Sequence, residues 1–193
     1  TNPVQFSGSQ YPKKQSEDSL YLNVLTPVDR PPGRKLPVMV WFHGGGLTRN
    51  SGNDSTWNYH RMPQHGVVVV TVSTRLGPLG LLSHPALSAE SPSGASGNYM
   101  YLDLIAALKW VQENIDEFGG DPRNVTLWGQ SGGGWKAGGL IASPLAKGLF
   151  HRAIIHSGGG PFPAPLHESQ NWGQQFFARL GVTTVEQARA AGA

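Results

Sequence analysis

The stretch that most limits what this chain can fold into is Asn124-Val125-Thr126-Leu127-Trp128-Gly129-Gln130-Ser131-Gly132-Gly133-Gly134. Val125, Leu127 and Trp128 read as a short buried strand, and Gly129 breaks it. Ser131 then stands inside a G-x-S-x-G pattern, and Gly132, Gly133 and Gly134 open a helix. A serine on so sharp a strand-to-helix turn takes a strained backbone conformation, at a cost of about 1–3 kcal/mol. Gly129 and Gly133 make room, because a side chain at either would strike the strand or helix behind. The gain is exposure: the hydroxyl stands at the carboxyl edge of a sheet and faces a helix amino terminus. In a chain with 26 glycines the pattern alone fits equally well a glycine-rich turn with an idle serine.

A second stretch adds chemistry. His43-Gly44-Gly45-Gly46 follows the apolar run 38–42, which reads as another buried strand. Three glycines in series bare a row of backbone N–H groups with no side chains in the way. Donors so arranged suit the oxygen of a tetrahedral acyl intermediate, and losing one such donor typically slows reaction about 10²–10³-fold. A glycine row first and an elbow serine later is the α/β-hydrolase order.

The rest of the chain supplies the frame. Strands are expected over 20–25, 36–42, 67–72 and 153–155. Loops are expected over 27–35, over 48–65, and over a long stretch to Gly97 punctuated by Gly77, Pro78 and Gly80. Residues 1–18 read as polar and irregular. The clearest helix is 101–118, where Leu104, Leu108, Val111, Ile115 and Phe118 form one apolar stripe. Asn98 suits its N-cap, and Gly119-Gly120 with Pro122 stop it. Further helix is expected over 170–180 and 184–190. Strands alternating with helices mean a mostly parallel sheet covered by helices on both faces.

Composition removes other classes. Of the residues, 38% are hydrophobic and 14% charged, which suits a globular fold. The net charge of +3 is scattered, so nucleic acid is not an expected partner. No apolar run approaches the ~20 residues of a membrane helix. With no cysteine there is no disulfide and no thiolate metal site. His43, His60 and His65 lack a helical i, i+4 pattern with a carboxylate, so no metal is expected. Gly132 to Gly134 lack the Lys-Ser/Thr of a phosphate loop and the spacing of a dinucleotide loop, so no cofactor is expected. Compartment is left open.

Five blocks then resemble the type-B carboxylesterase family, which includes cholinesterases, para-nitrobenzyl esterases and the non-enzymatic neuroligins. They are Glu17-Asp18-Ser19-Leu20-Tyr21-Leu22-Asn23-Val24; the run from Val38 through His43-Gly44-Gly45-Gly46; Arg75-Leu76-Gly77-Pro78-Leu79-Gly80; the helix residues from Gly97-Asn98 to Asp121-Pro122; and Phe150-His151-Arg152-Ala153 with Ser157-Gly158. The resemblance implies an α/β-hydrolase fold and hydrolysis of small carboxylic esters. It implies that Ser131 carries the acyl group and that Gly45, Gly46 and Gly132 supply the oxyanion donors. His43, before the glycines, is more often structural than catalytic in this family.

Three positions depart from the family pattern. Ser19 stands for the signature cysteine, Gln130 for the glutamate before the serine, and Gly132 for the commoner alanine. A neutral Gln130 removes a negative charge beside the ester, so neutral esters are expected to be better substrates than cationic choline-type ones. Trp41, Leu47, Trp57 and Trp135 are open between pocket and core.

A serine hydroxyl needs a base oriented by an acid. The family places both far downstream, and His156, His167 and Glu168 read better as strand-end and loop residues. Residues 1–193 are therefore expected to be a partial domain, an internal piece lacking amino-terminal and carboxyl-terminal parts. The partner expected is that missing carboxyl-terminal half or a second copy, and the piece alone is expected to be inactive, poorly soluble or oligomeric. The rival function is a catalytically silent relative that binds a partner.

Overall fold

A computed structural model describes residues 2–5, 15–29, 33–53, 58–160 and 163–191. A short parallel pair, β1 (Asn2–Pro3) and β2 (Gln15–Ser16), precedes the main sheet. That sheet comprises β3 (Leu22–Leu25), β4 (Leu36–Phe42), β5 (Val68–Val72), β6 (Gly120–Gln130) and β7 (Arg152–His156), in the order β3-β5-β4-β6-β7. β3 runs antiparallel to β5, and the other pairings are parallel. Val38, Val40, Trp41 and Phe42 of β4 are fully buried, as is every residue of β5. Strands buried on both faces read as continuous apolar runs, and these do.

One face packs on two helices, α3 (Tyr99–Asn114) and α4 (Gly132–Ala142), through Val38, Val40, Val70, Leu104, Leu108 and Leu127. The other face carries Trp41 and Val69 against Tyr59. Tyr59 comes from a 3₁₀ helix, Asn58–His65, within what the sequence reads as a polar loop. The rings of Trp41 and Trp128, neighbours in register, meet at 4.3 Å between centroids, tilted by 55°. Trp57 lies outside the described residues.

The expected loop up to Gly97 also holds two helices, α1 (Gly77–Leu81) and α2 (Pro85–Glu90). Each has a proline in its first turn, where the missing N–H is harmless. Five and six residues are too few for a helical period to be legible. Helix α3 starts at Tyr99 and ends at Asn114, earlier at both ends than the sequence suggests. Leu104, Leu108, Val111 and Ile115 are fully buried, but Phe118 is exposed, its ring tilted against that of Trp110. Asn98 is the N-cap residue without a side-chain cap bond. The helix start is held instead by Arg75, which donates to the Asp103 carboxylate and to the Tyr99 carbonyl.

After β7 come α5 (Leu166–Leu180) and α6 (Val185–Ala190), the latter opened by a capping box of Thr184 and Gln187. Among the described residues no helix is long and apolar enough to cross a membrane. Strand β7 is exposed along its whole length despite Ile154 and Ile155. It pairs with β6 alone among the described residues.

Candidate active site

Ser131 is the single residue between β6 and α4, with φ 55° and ψ −122°. A non-glycine residue with positive φ is strained and persists only where its surroundings over-determine it. Here the Ser131 N–H donates to the His156 carbonyl at 2.8 Å, and the Ser131 carbonyl accepts from the Trp135 N–H at 3.2 Å. A Cβ on Gly129 would lie 2.3 Å from the Gly133 carbonyl, so the strand and helix close on each other with no room for a methyl group. Ser131 itself is partly exposed.

The glycine row lies alongside. β4 ends at Phe42, in register with Gly129, and the chain leaves the sheet through His43. Gly45, Gly46 and Leu47 have φ of 101°, 62° and 64° in succession. The Thr48 amide and hydroxyl both donate to the Gly45 carbonyl, and the Gly77 amide donates to the Leu47 carbonyl. A Cβ on Gly44 would be 3.4 Å from Ser131 Cβ. One on Gly132 would be 3.1 Å from both the Gly46 and Leu47 nitrogens. The tertiary structure thus brings Gly44, Gly46, Leu47, Ser131 and Gly132 together. The Leu47 amide is a member that the sequence did not single out. Gln130 joins them, its side-chain oxygen 3.1 Å from the Cβ position of Gly44.

Of the other residues considered, Trp41 is core, Leu47 is partly buried in the row, and Trp135 is exposed on α4. His156 meets Ser131 through its carbonyl, not its ring. His167 and Glu168 sit exposed in the first turn of α5. Among the described residues no side chain hydrogen-bonds the Ser131 hydroxyl.

One buried pair went unread in the sequence. Lys136, in the second turn of α4, is 1% exposed. Its Nζ donates to His43 Nε2 at 3.1 Å and to the His43 carbonyl at 3.2 Å. His43 Nδ1 lies 2.8 Å from the Gly44 carbonyl. A carbonyl only accepts, so Nδ1 carries the proton and Nε2 is free to accept from the amine. Burial pushes the Lys136 ammonium down from 10.5 to about 7. Burial first, and the neighbouring amine second, hold the His43 imidazole well below its usual value. A signal was present: Gly133, Lys136, Ala137 and Leu140 share one helical stripe, and that stripe is the buried one.

Residues 2–191 match the family model described as Carboxylesterase family. The chain belongs to the carboxylesterase family. Within the family it is 50% identical over 166 residues to Fumonisin B1 esterase of Sphingopyxis macrogoltabida, covering 86% of this chain and 31% of that protein. It is 49% identical over 148 residues to Carboxylesterase 1D of Rattus norvegicus, covering 76% and 25% respectively. The chain therefore spans a third or less of the length of these curated relatives. Solved structures agree on the α/β-hydrolase fold. A PNB esterase matches with a TM-score of 0.80 at 40% identity, covering 93% of this chain and 37% of that one. A thermophilic PNB esterase matches at 0.84 and 39%, covering 98% and 40%.

Proposed function

We propose that this chain carries the nucleophile and the oxyanion donors of a serine esterase acting on small neutral carboxylic esters. The observation that carries the reading is the packing of the Gly46 and Leu47 amides against Gly132, next to a strained and partly exposed Ser131. Ser131 Oγ attacks the ester carbonyl and gives its proton to a base. The carbonyl oxygen becomes an anion facing the amides of Gly45, Gly46 and Gly132, which are already oriented and stabilise the developing charge without reorganisation. The alcohol leaves and an acyl-serine remains, which water then hydrolyses. Gln130, neutral and beside the row, favours esters without a cationic alcohol. No metal or cofactor takes part.

The base and its orienting acid belong to sequence beyond residues 1–193, which form a partial domain completed by that sequence. Labelling with a fluorophosphonate probe, in the longest natural chain that carries these residues, tests the reading. An adduct located on Ser131 by mass spectrometry is expected, with loss of esterase activity in Ser131→Ala. Ester hydrolysis that survives Ser131→Ala, or a folded protein with neither adduct nor hydrolysis, overturns it; the second result returns the silent, partner-binding alternative.

A further inference from the structure

We propose that Lys136 is a positioning residue: through His43 it sets the direction of the glycine-row amides toward the Ser131 hydroxyl. The inference rests on the oxyanion assignment above. Its geometry is a relay of three hydrogen bonds. Lys136 Nζ holds the His43 carbonyl and His43 Nε2, and His43 Nδ1 holds the Gly44 carbonyl.

A trans peptide is planar, with its C=O and N–H pointing in opposite directions. Fixing the His43 carbonyl therefore fixes the Gly44 N–H, pointing away from Lys136. Fixing the Gly44 carbonyl fixes the Gly45 N–H in the same way. The ring must keep its proton on Nδ1 to do this, and the Gly44 carbonyl, which only accepts, enforces that tautomer.

The loop needs such a device. Gly45, Gly46 and Leu47 all have positive φ, and glycine lacks any side chain to pin it. Outside the relay, the row is held by the bonds of Thr48 to the Gly45 carbonyl and of Gly77 to the Leu47 carbonyl. Both lie on the far side of Gly44. The relay also ties the row to α4, the helix that starts at Gly132 just after the serine. Donors and nucleophile are thus referenced to one rigid element.

A lysine is a costly way to fill a buried site, because an amine there must be neutral or leave a charge unsolvated. Among the described residues no carboxylate pairs with Lys136, so an ion pair does not account for it. A methionine would fill the same space without that penalty. What methionine lacks is the pair of N–H donors.

The test compares wild type, Lys136→Met and Lys136→Gln in the longest natural chain carrying these residues, with active sites counted by fluorophosphonate titration. Per labelled site, Lys136→Met is expected to lower kcat for p-nitrophenyl butyrate about 10- to 100-fold with KM nearly unchanged, since a misaimed oxyanion donor acts only in the transition state. Affinity for a trifluoromethyl ketone, which adds the serine to form a tetrahedral oxyanion, falls by a similar factor. Lys136→Gln keeps an N–H donor one bond shorter and falls between. A purely structural role would reduce the number of labelled sites and leave kcat per site alone. A kcat per site within about twofold of wild type, in Lys136→Met or, if that variant does not fold, in Lys136→Gln, overturns the inference while leaving the serine assignment standing. Absence of an adduct on Ser131 in the wild type overturns both.

Discussion

The Cβ position of Gly133 lies 1.9 Å from the carbonyl oxygen of Phe42. Phe42 ends the central strand and Gly133 is in the first turn of the helix after the serine, so the contact measures how closely the two candidate active-site segments are pressed together. Backbone atoms on both sides leave nothing flexible to move aside.

Gly133→Ala is accordingly expected to destabilise the protein by about 3 kcal/mol or more, the range of severe overpacking. Gly129→Ala, 2.3 Å from the Gly133 carbonyl, belongs with it. Gly66→Ala, at a glycine with positive φ but open space around it, is expected to cost only about 1 kcal/mol. Urea unfolding monitored by tryptophan fluorescence separates the two classes. Equal losses at Gly133 and Gly66 would contradict the packing argument.

Gly132→Ala is the milder case. Its Cβ would sit 3.1 Å from the Gly46 and Leu47 nitrogens, so the row must yield by a few tenths of an ångström. Alanine is also the better helix former, by about 0.5–1 kcal/mol. The expected outcome is a higher melting temperature with kcat lowered about two- to tenfold, because a small displacement of oxyanion donors matters more to rate than to fold. Calorimetry and steady-state kinetics on the same sample check both halves.

Lys136 predicts a pH dependence of stability. The unfolded lysine titrates near 10.5 and the folded one near 7. Between those values the unfolded chain binds one more proton, so stability rises with pH across this window and is flat below it. Lys136→Met removes the effect. The stability of wild type relative to the variant is expected to increase by about 1–3 kcal/mol between pH 7.5 and 9.5, from urea titrations at each pH. A difference independent of pH would mean that the amine is solvated in the folded state.

Gln130→Glu restores a carboxylate beside the glycine row. Relative kcat/KM for a trimethylammonium ester over its neutral isostere is expected to rise about three- to tenfold, the effect of one partly screened charge a few ångströms away. The ratio should shrink at high salt. No change in the ratio would place the Gln130 side chain outside the alcohol site.

Much of this was legible in the chain alone. Continuous apolar runs such as Leu36–Phe42 and Val68–Val72 read as strands of a covered sheet, because alternation fades as both faces are buried. The G-x-S-x-G stretch marks a turn too tight for side chains, and the contact of Gly129 with the Gly133 backbone four residues on is the local reason Gly129 must be glycine. These are short-range constraints, imposed by sterics within a few residues, and so they are written locally.

What tertiary structure alone decided is burial and company. A lysine on a helix reads as a solvated side chain, yet Lys136 is inside because its face of α4 is turned to β4 and the His43 carbonyl beyond it. Leu47 joins the glycines through a backbone angle that no propensity assigns to leucine. For Lys136 and Leu47 the energy that fixes the residue comes from atoms distant in sequence.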